Sequence, residues 1–173
     1  MDHAVYGVIA DSSTEPLDEP LRRLSRAANY SRLWLAISSV VYMFGDRNAR
    51  RAVVSGIAAV AVTSFLVNVV VKSLWGRTRP DRDAHDVPDD RKVAMPDSTS
   101  FPSGHSASGF AFATAVGHHL PRLAVPLRVL AGAVAYSRVH SGVHYPADVF
   151  VGSVIGIAIG HIAARVGGSR SDA

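Results

Sequence analysis

Cysteine is absent from the 173 residues, which excludes disulfide bonds and thiolate chemistry. Charge is also scarce, because Asp, Glu, Lys and Arg together make up 18% of the chain, against about 25% in an ordinary soluble domain. The N-terminus has no basic stretch followed by a long apolar run, so we expect no cleaved signal peptide. Together with 48% hydrophobic residues, the shortage of charge favours a membrane protein.

The length predicts a single domain, residues 1–173. The formal net charge is +4, but the basic residues are diluted by apolar segments. We therefore expect a phospholipid bilayer and an anionic lipid or phosphate as partners, and no nucleic acid. Neither a cofactor nor an oligomeric state is indicated.

Five apolar segments predict an all-α bundle of about five transmembrane helices. They cover residues 30–45, 52–75, 101–120, 123–136 and 145–166. The first is shorter than the roughly 20 residues that a span needs, so we expect residues before Tyr30 to extend it. In the last, glycines at every fourth position predict a face on which another helix packs closely; these are Gly152, Gly156 and Gly160.

The two ends of the chain have separate predictions. Residues 1–30 place Leu17, Leu21 and Leu24 at helical spacing with arginines between them. This pattern predicts an amphipathic helix that either lies on the membrane surface or packs on the bundle. The tail, residues 167–173, is predicted to be flexible.

The polar loop 76–100 and the polar stretch 137–148 are predicted to share one face of the membrane, the motif face. Two crossings separate them, so the chain returns to the side that it left. The raw numbers of Lys and Arg favour neither face, but several of those on the motif face have a functional explanation that removes them from the count. We predict an integral protein of a bacterial plasma membrane, with the motif face outward.

Two clusters of residues that could bind an anion or transfer a proton lie near the first of these loops. Lys72 ends the second segment, with Asn68 one turn earlier and Ser64 one turn before that. Ser103 is placed to cap the helix that Gly104 and His105 begin, so that free backbone N–H groups would suit an oxyanion or phosphate. Each cluster also has a plain structural explanation, as an interfacial anchor or as a capped helix.

The third cluster is the stretch 137–148, S-R-V-H-S-G-V-H-Y-P-A-D. Arg138 offers a fork for phosphate, and Asp148 is spaced to fix the tautomer of His144. His140, His144 and Asp148 also recur every four residues, as metal ligands on one helix would. Gly142 and Pro146 make a continuous helix unfavourable there, so we expect no metal. The alternative is that His144 and Asp148 only cap a helix.

Three motifs identify the chain as similar to a known family, the type 2 phosphatidic acid phosphatase superfamily of integral-membrane lipid phosphatases. It shares its site with vanadium haloperoxidases and bacterial acid phosphatases. The first motif is Lys72, six intervening residues and Arg79-Pro80. The second is Pro102-Ser103-Gly104-His105. The third is Ser137-Arg138, five intervening residues, His144, three more residues and Asp148. They span residues 72–148, and the apolar segments disfavour a soluble haloperoxidase.

The resemblance implies a role for each motif residue. His144 would be the nucleophile that forms a phosphohistidine, Asp148 would orient it, and His105 would be the general acid and base. The phosphate would be bound by Lys72, Arg79, Pro80, Ser103, Gly104 and Arg138. Asn68 and Ser137 are candidates for supporting positions. Family members need no metal.

The expected substrate is a lipid phosphate, and first a polyprenyl-type monophosphate or diphosphate in cell-envelope synthesis, because the Ala-, Arg- and Val-rich composition suits a high-GC bacterium. Phosphatidic acid and phosphatidylglycerol phosphate are the alternative substrates. Transfer of the phosphoryl group to another lipid, and lipid binding without catalysis, are the alternative functions.

Overall fold

The computed structural model describes residues 2–169, with side chains described for residues 2–167. The regular secondary structure of this part of the chain is entirely helical. Its α-helices are α1 (Asp2–Ala10), α2 (Glu15–Ala27), α3 (Arg32–Phe44), α4 (Arg47–Phe65), α5 (Lys72–Leu74), α6 (Gly104–His119), α7 (Pro121–His140) and α8 (Pro146–Ser169). A π-helical segment, Leu66–Val71, joins α4 to α5, and single 3₁₀ turns occur at Asn29–Ser31 and Asp83–His85.

The all-α prediction is confirmed, and each of the five apolar segments contains a helix. Within residues 2–169, two helical stretches are long and apolar enough to cross a bilayer, Arg47–Leu74 and Pro146–Gly167. The count of five spans and the outward orientation of the motif face stay predictions.

Several predicted helix boundaries were wrong. Helix α4 begins at Arg47, capped by Asp46, and not at residue 52. Residues before Tyr30 do not extend α3, because Tyr30 and Ser31 have φ of 53° and 58°, a left-handed backbone that separates α3 from α2. Helix α7 is longer than its predicted segment, since Pro121 suits a first helical turn and the helix continues to His140. Helix α8 continues to Ser169, and the rest of the predicted tail, residues 170–173, lies outside the described residues.

Helix α6 lies at the centre of the bundle, in contact with α4, α7 and α8. Between Ser106 and Gly117 only Phe110 is not buried. On α8, the small-residue face predicted from the sequence packs against this helix: a Cβ on Gly152, Gly156 or Gly160 would lie 2.5, 2.1 and 2.6 Å from carbonyl oxygens of Ser103, Ala107 and Ala111.

This close packing has a direct consequence for the motif face, because it fixes the first turns of α6 and α8 side by side. The backbone N–H of Ser103 donates a hydrogen bond to the carbonyl of Asp148 at 2.9 Å. The residues that begin the two helices are thereby held together.

Helices α1 and α2 pack on the bundle: α2 contacts α7, and α1 contacts both α7 and α8. Their buried residues include Tyr6, Ala10, Asp18 and Ser25. Of the two alternatives for the N-terminal segment, the packed arrangement is therefore the one observed, and a location at the membrane surface stays a prediction.

Candidate active site

The three sequence clusters meet at one end of the bundle, around a cavity of about 710 Å³. Its wall combines residues from the end of α4–α5, the loop 76–100, the start of α6, the end of α7 and the loop before α8. The motif residues that line it are Lys72, Arg79, Gly104, His105, Arg138 and His144.

Three of these residues are cations, and none of them forms an ion pair with a carboxylate of the described chain. Lys72 Nζ donates to the Ser98 hydroxyl at 3.2 Å. Arg138 is only 2% exposed, and its buried Nε has no hydrogen-bond partner. Because a buried, unpaired cation is costly, this arrangement indicates an anionic ligand.

Arg79 is held by the backbone around it. Its guanidinium donates to the carbonyls of Ser98, Thr99 and Val143 at 2.9, 3.1 and 2.7 Å. Burial lowers the pKa of Arg79 from its ordinary value, although an arginine remains charged at neutral pH. The side chain is therefore fixed before any ligand binds.

His144 lies in the break between α7 and α8. The break follows from the sequence as predicted: α7 ends at His140, Gly142 takes a left-handed φ of 66°, and Pro146 begins α8. Within it, His144 Nε2 lies 3.4 Å from Nη1 of Arg79 on the cavity side. Burial lowers the pKa of His144 to about 4, against the opposing effect of Asp148, so the imidazole is neutral at physiological pH.

Asp148 lies behind His144, fully buried. Its Oδ2 is 3.5 Å from His144 Nδ1 and accepts a hydrogen bond from the Tyr145 N–H at 2.9 Å. The distance to His144 is at the outer limit of a hydrogen bond, and such catalytic bonds are often long before substrate binds. With Nδ1 directed at a carboxylate, the lone pair of His144 is on Nε2, the nitrogen nearest the cavity.

His105 lies one residue inside α6. Ser103 caps this helix, since its hydroxyl accepts from the N–H and the hydroxyl of Ser106 at 3.5 and 3.0 Å. A Cβ on Gly104 would lie 2.8 Å from Oδ1 of Asn68, so any larger residue at this position would displace that amide. His105 Nε2 is 2.9 Å from Oδ1 of Asn29.

The remaining predicted site residues take other positions. Asn68 and Ser64 line the cavity. Pro80 is buried outside it, and the hydroxyl of Ser137 donates to the carbonyl of Val134 at 2.6 Å. Ser103 and Asp148 support the wall from behind.

His140, which had no predicted role, lies in a separate buried network. Its Nε2 is 2.8 Å from the Thr14 hydroxyl and 3.1 Å from Asp18 Oδ1, and Asp18 also accepts from Arg91 Nε at 2.9 Å. Burial alone would raise the pKa of Asp18, but the hydrogen bonds from Arg91 and Thr14 outweigh it and lower that pKa. His140 and His144 therefore belong to different sites.

Sequence reasoning missed three residues that contact the motif residues. Arg77 donates to Asp148 Oδ1 at 2.7 Å, Asn29 contacts His105, and Ser25 accepts from Arg138 Nη1 at 2.5 Å. Arg77 lies within the first motif, so its charge was a visible signal. Asn29 and Ser25 are far from every motif in the sequence and had none.

Comparison with known proteins shows the class of protein to which this chain belongs. The family model of the PAP2 superfamily matches residues 52–171. The chain belongs to the PAP2 superfamily and is a phosphoric monoester hydrolase of that family.

Individual relatives agree with this class. The decaprenylphosphoryl-5-phosphoribose phosphatase of Mycobacterium tuberculosis is 36% identical over 152 residues, which cover 88% of this chain and 81% of that protein. Two solved structures share the fold. The transmembrane PAP2-type phosphatidylglycerolphosphate phosphatase of Bacillus subtilis has a TM-score of 0.74 at 21% identity, over 97% of this chain and 85% of the other. LpxE of Aquifex aeolicus has a TM-score of 0.70 at 22% identity, over 95% and 94%.

Proposed function

We propose that this protein hydrolyses the phosphomonoester of a polyprenyl-linked membrane lipid through a phosphohistidine intermediate. One observation carries the proposal: Lys72, Arg79 and Arg138 converge without carboxylate partners on the cavity into which His144 presents Nε2. Fixed cations around a neutral nucleophile stabilise the charge that a transferring phosphoryl group spreads over its oxygens.

In the first step, Nε2 of His144 forms a bond to phosphorus while the bond from phosphorus to the lipid oxygen breaks. The departing oxygen takes a proton from protonated His105. Asp148 stabilises the positive charge that develops on the His144 ring, as the carboxylate of a catalytic triad does. The three cations and the N–H groups at the start of α6 bind the phosphoryl oxygens.

In the second step, water attacks the phosphohistidine. His105, now neutral, takes a proton from the water as the new bond from oxygen to phosphorus forms. The bond from phosphorus to Nε2 breaks, inorganic phosphate leaves, and both histidines return to their starting states. One residue thus acts as acid and then as base.

The size and lining of the cavity support a substrate with a polar group next to its phosphate. Besides the cations, uncharged polar side chains line its wall, namely Asn29, Ser31, Ser64, Asn68, Ser98 and Ser108. Such groups suit the hydroxyls of a sugar. The relative from Mycobacterium tuberculosis is named for a phosphoribose carried on decaprenyl phosphate, and we propose a substrate of this type as the first choice.

The test is a substrate panel in detergent with EDTA present. It contains a polyprenylphosphoryl-5-phosphoribose, a polyprenyl diphosphate, phosphatidic acid and phosphatidylglycerol phosphate, each assayed for inorganic phosphate with wild type and His144→Ala. We expect the phosphoribosyl lipid to have the highest kcat/KM and His144→Ala to release no phosphate. A higher kcat/KM for a glycerophospholipid would contradict the substrate assignment, and undiminished activity of His144→Ala would contradict the mechanism.

The covalent intermediate has its own test. Rapid acid-free quenching of wild type with ³²P-labelled substrate should leave label on the protein, and the label should be stable in alkali and lost in acid, as a phosphoramidate is. His105→Ala should accumulate more of it if water attack slows more than transfer. Label absent from wild type and from this variant would contradict a phosphohistidine.

A further inference from the structure

Asn29 lies outside the family's motifs and forms a side-chain hydrogen bond with His105, the proposed acid and base. It lines the cavity, and its Oδ1 lies 2.9 Å from Nε2 of His105. An amide oxygen only accepts hydrogen bonds, so the contact requires a proton on Nε2.

The backbone that presents Asn29 is unusual. The next two residues, Tyr30 and Ser31, both have a left-handed conformation, with φ of 53° and 58°. Residues other than glycine adopt this conformation rarely, and it is retained where the surroundings require it. Here it turns the chain between α2 and α3 so that Asn29 and Tyr30 both border the cavity.

A second contact comes from the same part of the chain. Ser25, one turn before Asn29 and fully buried, accepts the hydrogen bond from Nη1 of Arg138. Both residues lie before residue 52, where the match to the family model begins. The N-terminal segment of this chain therefore contributes side chains to a site whose motifs all lie elsewhere.

We propose that Asn29 is a positioning residue for His105: it holds the proton on Nε2, fixes the ring plane, and leaves Nδ1 to exchange the proton with the lipid oxygen and then with water. The proposal rests on the acid and base role of His105 given above. Asn29 acts through His105 and does not itself transfer a proton.

The experiment is a double-mutant cycle on the steady-state kcat and KM of phosphate release from ³²P-labelled polyprenylphosphoryl-5-phosphoribose. The variants are Asn29→Ala, His105→Ala and the two together. We expect Asn29→Ala to lower the rate roughly tenfold or more, within the range that general acid–base catalysis contributes, with little change in KM. In the His105→Ala background the same substitution should have no further effect, because residues that act through one another are not additive.

Two more variants make the test specific. Asn29→Asp keeps an oxygen acceptor for Nε2–H and should recover more activity than Asn29→Ala. Asn48→Ala is the matched control, because Asn48 donates a single hydrogen bond to the carbonyl of His119 at the other end of α6; it should retain the wild-type rate. Thermal stabilisation by inorganic phosphate checks that each variant is folded with an intact anion site.

Three results would overturn the inference: a wild-type rate in Asn29→Ala, an equal loss on both backgrounds, or a rise in KM with kcat unchanged, which would make Asn29 a substrate contact. These are distinct from failure of the proposed function. In that case wild type itself would release no phosphate, or His105→Ala would be as active as wild type.

Discussion

Arg77 and Asp148 form an ion pair in which Nη1 donates to Oδ1 at 2.7 Å, while the other carboxylate oxygen faces His144. The Arg77 guanidinium also pairs with Asp2. Burial alone would lower the pKa of Arg77, but the hydrogen bond to Asp2 and the charge of Asp148 raise it. Asp148 is thus held from the side opposite the histidine that it is proposed to orient.

The first prediction concerns this pair. Arg77→Ala should lower kcat by roughly 10- to 100-fold with little change in KM, because Asp148 loses its fixed position while the cations of the cavity remain; outer partners of catalytic histidines have effects of this size in metal sites. Steady-state kinetics with the best substrate of the panel would measure it. The matched control is Arg23→Ala, whose arginine pairs with Glu19 on the surface of α2. An unchanged kcat in Arg77→Ala would show that Arg77 is not needed to hold the Asp148 carboxylate in position.

The second prediction concerns Asp148 itself. Asp148→Asn keeps the shape of the side chain but removes the negative charge that stabilises the developing imidazolium of His144. We expect kcat to fall by about 10²- to 10⁴-fold, as in other triads of this kind. Near-wild-type activity in this variant would contradict the orienting role.

The third prediction is that the buried Arg138 cation destabilises the protein when no anion is bound. Arg138→Met removes a buried cation whose Nε has no partner, and replacing such a charge by an apolar side chain is often neutral or stabilising. We expect the Tm of the ligand-free variant to equal or exceed that of wild type, with no phosphate release. The stabilisation of wild type by inorganic phosphate should be lost in the same measurement. A large fall in the Tm of the ligand-free variant would show that the Arg138 cation does not destabilise the ligand-free protein.

The fourth prediction concerns the packing of α8 on α6. Gly156→Ala would place a Cβ 2.1 Å from the carbonyl oxygen of Ala107, so the two helices must move apart. Overpacking of this kind costs about 1–3 kcal/mol, and the Tm should fall. Gly132→Ala is the control, because a Cβ there meets nothing within 4 Å; its Tm should equal or exceed that of wild type, since alanine is the better helix former. Equal Tm values for the two variants would contradict close packing at Gly156.

The fifth prediction concerns pH and the N-terminal helices. The Asp18 pKa is lower in the folded protein than its ordinary value of 3.8, so the ionised form is stabilised by folding. That contribution is complete above the unfolded pKa and is lost as pH falls through the folded value. Cleavage between α1 and α2 in limited proteolysis should therefore increase below about pH 4.

Substitution of Arg91 tests the contribution of the ionised Asp18 carboxylate without a change of pH. Arg91→Ala should increase that cleavage at neutral pH, because it leaves the Asp18 carboxylate buried without its arginine. The neighbouring Lys92→Ala, which removes only exposed pairs with Asp83 and Asp89, should not. Equal cleavage of the two variants would show that the buried pair does not hold the N-terminal helices.

Local signals in the sequence predicted much of this structure. The Ser103 cap, the break between His140 and Pro146, and the glycine face of α8 each follow from the properties of one or two residues. The meeting of Lys72, His105 and His144 followed from counting apolar segments, because an even number of crossings returns the chain to the same side.

Local sequence signals could not predict contacts between residues that are far apart in the chain and belong to no periodic pattern. Asn29 meets His105 where two left-handed residues, Tyr30 and Ser31, turn the chain, and neither a tyrosine nor a serine gives a sign of that backbone in advance. Arg77 and Arg79 are both arginines of the loop 76–100, and only the folded chain shows that the first contacts Asp148 and the second borders the cavity.

The π-helical segment Leu66–Val71 has a consequence for how this sequence can vary. A π-turn holds an extra residue relative to an α-turn, and each residue of an α-helix rotates the chain by about 100°. Deleting one residue from the segment would convert it to a regular α-helix and leave the hydrophobicity of the span almost unchanged. Because the π-turn absorbs that extra residue, Ser64 and Lys72, which both line the cavity, should keep their relative orientation after such a deletion. A one-residue deletion in the regular helix α4 would instead rotate Lys72 by about 100° relative to the residues before it. The π-helical segment is therefore the part of this apolar run that can change its length without moving Lys72 out of the cavity wall.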